Sequence, residues 1–231
     1  MFDLLIRNAQ VLDGLGNPPF AADVEVRGDE IIDIGNLGEA EAARVLDGQG
    51  LHLAPGFIDA HTHSEFLYPI NLKAESKVHQ GVTTEIVGHC GISASPMFGD
   101  ARREAESLTK IIGIDISWTT LAEYNQRLHE RGIAVNVIHL LGHGALRDAV
   151  MGRTDRDPNE QEIRQMQKEI DRAFEQGAWG MSSGLIYPPG IYSKTYELIE
   201  LSKAVARNGG IYSTHVRGEG DTLLKAIGEA I

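Results

Sequence analysis

DLLIRNAQVLD, DVEVRGDEIIDIG and RVLDGQGLHLAPG each set Val, Ile and Leu among polar residues and end at Gly, Asn, Asp or Pro, the pattern of half-buried strands. Gly28 and Asp29 fall between two such runs and predict a tight hairpin, because glycine accepts the positive φ that a two-residue turn demands. Residues 1–54 therefore read as a small β-layer. From Pro55 onward, short apolar runs alternate with segments of helical period. GFIDAHTH precedes one around 72–80, VTTEIVGHCG one at 100–112, IAVNVIHLLGH one beginning near Asp157, AWGMSSGLIYP one marked by Leu198, Leu201 and Val205, and IYSTHVRGEG a last one opened by Asp221.

The third helix has the plainest signals. Asp157 offers a carboxylate to the free N–H groups of the first turn, and Pro158 follows where a missing N–H costs nothing. Ile163, Met166, Ile170 and Phe174 share one face, and Gly177 closes the end. In the last helix, Leu224, Ile227 and Ile231 predict a stripe facing the core. Parallel strands need a crossover and helices supply it, so residues 55–231 predict an α/β fold of five βα units. Five units fit either an open doubly wound sheet or a (β/α)8 TIM barrel truncated after the fifth.

The candidate chemistry favours the barrel. His61 and His63 end the first strand two residues apart, which directs both imidazoles to one face; the alternative is two histidines that satisfy loop carbonyls. Cys90, beside Gly91, ends the second strand, and His215 ends the fifth. Taken alone, Cys90 is a small buried hydrophobe, a nucleophile or a ligand; near two histidines, a thiolate completes the donor set that Zn²⁺ prefers. All four residues would meet at the C-terminal mouth, where barrel sites lie. His89 would point to the opposite side of a regular strand. His139 and His143 are four apart, but Gly142 and Gly144 argue against a helix, and Leu140 stands where a helical zinc-protease motif carries Glu. Tyr187, stiffened by two prolines, suits either a substrate carboxylate or turn packing, and Arg217 either an anionic substrate or Glu219. His52, His79 and His129 read as surface or loop residues.

Charge and composition narrow the function. With 21 Lys and Arg against 33 Asp and Glu, the net charge of −12 argues against a nucleic-acid backbone as partner. No apolar run is long enough to cross a membrane. A single Cys forms no internal disulfide, and the opening MFDLLIRNAQVLDG lacks a secretory layout, so a cytoplasmic location is expected.

LAPGFIDAHTH after a β segment resembles the amidohydrolase superfamily, and VGHCGIS, GHGALR, SSGLIYPPG and YSTHVRGEG resemble its N-acyl-D-amino-acid deacylase (D-aminoacylase) branch, from Leu5 to the last residue. The resemblance implies a β-sandwich domain, residues 1–54 supplying its N-terminal part, beside a metal-bearing barrel begun by residues 55–231. It implies hydrolysis of an N-acyl-D-amino acid by a metal-activated water. Cys90 and His215 would hold a tight Zn²⁺, and His61 with His63 a second, weaker metal position. Tyr187 would hold the substrate carboxylate, with Arg217 and His143 as further substrate-binding residues. A third tight-zinc histidine and the catalytic Asp would lie beyond Ile231, so these 231 residues are expected to be inactive alone. Two alternatives stand beside this reading. One is a cyclic amidase of the dihydroorotase or hydantoinase type, disfavoured by the absence of Lys in GMSSGLIY; the other is a non-catalytic half-barrel that self-associates through its open edge.

Overall fold

The computed structural model describes residues 2–231. They form two compact units, one ending at Gly56 and the other spanning Phe57–Ile231. The first is a sheet of β1 (Phe2–Val11), β2 (Phe20–Arg27), β3 (Glu30–Gly35), β4 (Ala42–Asp47) and β5 (His52–Leu53). β2 pairs antiparallel with β1 and β3, whereas β4 and β5 run parallel to β1. The expected hairpin is present: Arg27 pairs with Glu30, and Gly28 turns the chain at φ +61°. Its small core is Ala9, Val11, Ala22 and Val24, flanked by Ile6, Val26 and Leu53.

The second unit is a parallel sheet of β6 (Phe57–Asp59), β7 (Val82–Val87), β8 (Asn136–Gly142), β9 (Ala178–Gly184) and β10 (Ile211–His215). Its spatial order, β10-β9-β8-β7-β6, is its order along the chain. A doubly wound sheet reverses direction partway; this one never does, and so has the winding of a barrel wall. Its helices are α1 (Glu75–Val78), α2 (Gly99–Thr109), α3 (Leu121–Arg131), α4 (His143–Met151), α5 (Glu160–Glu175), α6 (Thr195–Arg207) and α7 (Leu223–Ala230). Trp118, Tyr124, Leu146, Met166, Ile170, Met181 and Leu201 are fully buried and anchor the core between helices and sheet. No helix among the described residues is long and apolar enough to cross a membrane.

Four local expectations change. α5 is capped by Asn159, not Asp157: the Asn159 side chain accepts from the Gln161 and Glu162 amides, and Glu162 reaches back to the Asn159 amide. Three otherwise unpaired donors are satisfied in this way, while Asp157 pairs with Lys194 outside the helix. α3 was not expected, although Thr120 caps it in a box with Glu123 and Leu121, Tyr124 and Leu128 line its buried face. α4 was not expected either; it starts only at His143, with Gly142 as its cap residue, so His139 stays in β8 and the two histidines share no helix, as expected, while Gly144 sits where a Cβ would meet the Gly91 carbonyl oxygen at 2.8 Å. In α7 the expected stripe is exposed, Leu224 by 84% and Ile231 fully, and Ala226 is the buried residue. Periodicity creates an apolar face, but the packing around it decides whether that face is covered.

Candidate metal centre

The first histidine pair is set by what lies under it. Past β6, the Thr62 amide donates to the Ile86 carbonyl, which carries strand-like pairing one step beyond Asp59. Thr62 is buried and leaves His61 and His63 exposed on either side of it. Its hydroxyl meets Ser64 Oγ at 2.9 Å, and Ser64 donates to Glu85 Oε2 at 2.7 Å. Lys77 pairs with Asp59 and stands 3.6 Å from the fully buried Glu85, supplying the charge that a buried carboxylate requires.

Cys90 reaches the same place by a strained turn. After β7, Gly88 takes φ +83°, Cys90 +54° and Gly91 +75°. Gly88 admits no side chain, because a Cβ would lie 2.0 Å from the Leu140 carbonyl oxygen. A non-glycine residue at the left-handed φ of Cys90 persists only where its surroundings hold it. They do: Tyr187 Oη donates to the Cys90 carbonyl at 2.7 Å, and Ser182 Oγ accepts from the Gly91 amide at 2.9 Å while donating to the Gly88 carbonyl. The turn leaves Cys90 Sγ 3.4 Å from His61 Nε2 and 3.9 Å from His215 Nδ1. One donor atom each from His61, His63 and Cys90 lies within 4.8 Å of the other two. His215, the last residue of β10, has its Nε2 3.2 Å from Glu219 Oε1.

His89 does not point away as expected. The strand ends at Val87 and the left-handed Gly88 breaks the alternation, so the His89 ring stacks on that of His61, with centroids 4.0 Å apart and planes 14° apart. Burial, reinforced by the neighbouring His61 and His63, holds its pKa below the ordinary histidine value. His89 is thus a neutral plate against one face of the cluster.

Glu65 is a partner that sequence reasoning missed. Its buried carboxylate lies 3.8 Å from His63 Nδ1 and raises the His63 pKa against the opposing effect of burial. The signal was in the string HTHSE, an acid two residues after the second histidine. A carboxylate behind an imidazole orients the ring and makes it a better metal ligand.

Tyr187 stands beside the cluster, its ring 5.6 Å from that of His215, and burial raises its pKa so that it remains a protonated donor. The other two substrate-binding candidates lie elsewhere. His143 is fully buried and bonded to Glu197 at 2.8 Å, and Arg217 makes a two-point ion pair with Glu229 at 2.8 and 3.0 Å, not with Glu219. The structure therefore brings His61, His63, Cys90, His215 and Tyr187 together, and leaves His143 and Arg217 apart from them.

Comparison with known proteins agrees with this architecture. The model of the amidohydrolase family matches residues 44–208. The chain is 38% identical over 99% of its length to both an N-acyl-D-aspartate deacylase and a D-aminoacylase of Alcaligenes xylosoxydans xylosoxydans, of which it covers 46% and 47%. It superposes on an N-acyl-D-glutamate deacylase of Bordetella bronchiseptica, solved with zinc and a phosphonate mimic of the tetrahedral intermediate, with a TM-score of 0.91 and 33% identity; 99% of this chain and 48% of that one are covered. The chain thus spans about half the length of the relatives it matches, and its parallel sheet corresponds to half of a barrel. With this winding, this match and these strand-end residues, the chain belongs to the amidohydrolase family.

Proposed function

We propose that the protein carrying this chain hydrolyses the amide bond of N-acyl-D-amino acids to a carboxylate and a D-amino acid. The observation that carries this reading is the convergence of Cys90 Sγ with His61, His63 and His215 at one strand-end face. A thiol among imidazoles fits zinc: the soft sulfur and borderline nitrogens are its preferred donors, and they come from three separate strand ends of one sheet. In this reading Cys90 and His215 hold the tight zinc and His61 with His63 form a weaker position. Bound there, zinc polarises the acyl carbonyl and lowers the pKa of water.

The chain's own residues do the rest of the positioning. Tyr187, kept protonated by burial, can turn its hydroxyl from the Cys90 carbonyl to a substrate carboxylate. His89 excludes water from one face of His61, and the buried Glu65 sets a negative charge beside His63. The resemblance puts the proton-transferring carboxylate after residue 231, so metal binding is proposed for this chain and hydrolysis for the protein that carries it.

The test is metal titration of the chain, followed by cobalt substitution. The wild type is expected to bind zinc stoichiometrically and to show thiolate-to-cobalt charge-transfer absorption. Cys90→Ala should lose that absorption and weaken zinc binding by roughly 100-fold or more, whereas His89→Ala should weaken it by about tenfold at most. Equal zinc affinity in Cys90→Ala overturns the ligand assignment.

A further inference from the structure

A cavity of about 220 Å³ opens beside the candidate metal centre, with Cys90 and Tyr187 in its wall. Its other walls are largely apolar. Met97 lies just before α2, Ala101 and Ala105 come from its inner face and Leu108 from its exposed side, and Phe66 and Ile92 also line the cavity. Glycines and prolines keep it open where α4 and the loop after β9 approach: Gly144 and Gly184 line it, and side chains there would strike the Gly91 and Cys90 carbonyl oxygens.

The polar part of the wall has an excess of negative charge. Arg153 is shared by two carboxylates, Glu104 at 2.9 Å and Asp148 at 3.0 Å. Its guanidinium is already committed, and no other cation lines this wall among the described residues. Asp148 is buried, and its Oδ1 has no hydrogen-bond partner. An anion brought here would find two carboxylates and no free cation to receive it.

On the proposed deacylase reading, we infer that this cavity receives an uncharged apolar chain of the N-acyl-D-amino acid and rejects a second carboxylate, so that the protein prefers neutral substrates over N-acyl-D-aspartate or N-acyl-D-glutamate. The chain in question is either the acyl tail or the amino-acid side chain; both present the same chemistry to Met97, Ala101 and Leu108. Ala101 and Ala105 set the depth of the cavity, and Glu104 with Asp148 sets its sign.

The experiment compares kcat/KM and equilibrium binding of four compounds on the full-length zinc-loaded protein: N-acetyl-D-alanine, N-octanoyl-D-alanine, N-acetyl-D-leucine and N-acetyl-D-glutamate. The wild type should favour N-acetyl-D-leucine or N-octanoyl-D-alanine over N-acetyl-D-glutamate by at least tenfold. Ala101→Leu should lower the ratio to N-acetyl-D-alanine about tenfold for N-octanoyl-D-alanine if the tail enters, or for N-acetyl-D-leucine if the side chain does. Should that variant fail to fold, Leu108→Asp, at an exposed position on the rim, should lower the same ratio. Glu104→Gln should narrow the discrimination against N-acetyl-D-glutamate several-fold, and Asp148→Asn should narrow it further. If N-acetyl-D-alanine is processed while no variant moves either ratio, or if N-acetyl-D-glutamate is the best substrate, the cavity assignment is wrong and the deacylase reading stands. If none of the four is bound or hydrolysed, both fall.

Discussion

β2 and β9 show how differently the two units use a strand. β2 buries Ala22 and Val24 on one face and is exposed at both ends, and neighbouring β3 leaves Ile31, Ile32 and Ile34 in contact with solvent. β9 buries six of its seven residues, with Trp179 the exception. A strand covered on both faces cannot slide or twist without disturbing two layers, so its side chains can hold a neighbouring turn in a costly conformation. The left-handed Gly88–Gly91 turn, which follows β7, is pinned in this way from β9 by Ser182. In the N-terminal unit Asn8 and Gln49 also take left-handed φ, but its one histidine, His52, is exposed and stands beside no such cluster.

Three substitutions test this contrast. The largest effect is expected at Glu197, which is buried between His143 and Arg147. Burial opposes its ionisation, but the His143 hydrogen bond and the Arg147 charge prevail and hold its carboxyl below the usual range. Glu197→Ala leaves the buried Arg147 charge without its partner and should cost about 3–5 kcal/mol in urea unfolding. Trp118 and Trp179 both lie in the second unit, so tryptophan fluorescence reports that unit alone. A loss below about 1 kcal/mol would mean that Arg147 finds other compensation, from the Thr154 and Arg156 carbonyls it already meets.

The next effect depends on pH. Burial pushes His139 down to about 4 from an ordinary value of 6.5. The folded form keeps the ring neutral while the unfolded chain takes up a proton, so stability is full above about pH 6.5 and is lost as pH falls toward 4. The contribution is about 3 kcal/mol, and His139→Leu should flatten that part of the pH profile of unfolding. An unchanged slope would assign the acid sensitivity to other groups.

The smallest effect tests the independence of the units. Val24→Ala removes two methyl groups from the four-residue core of the N-terminal sheet, at a cost of about 2 kcal/mol. The fluorescence transition and the zinc titration should stay where they are. A matching shift in the fluorescence transition would show that the two units unfold together, and the contrast drawn between them would not extend to their energetics.

Much of this was legible in the chain itself. Short apolar runs ending in HTH, GHC and STH located strand ends, and their alternation with helical segments implied parallel strands, because both signals arise from neighbours a few residues apart. The spacing of Leu121, Tyr124 and Leu128 after Thr120 was an equally local signal for α3. Glu65, Glu85 and Lys77 under the histidine pair were not legible as a group, since their meeting depends on β6, β7 and α1 packing together.

Which histidines and which cysteine stand at strand ends could be read from the chain alone, since strand period and turn chemistry are properties of short segments. Long-range packing set the winding of the sheet, the stacking of His89 on His61, the withdrawal of His143 into a hydrogen bond with Glu197 and of Arg217 into an ion pair with Glu229, and the exposure of the α7 stripe. Each of these depends on which distant segment arrives as neighbour, and on whether a buried charge or an apolar face finds a partner there.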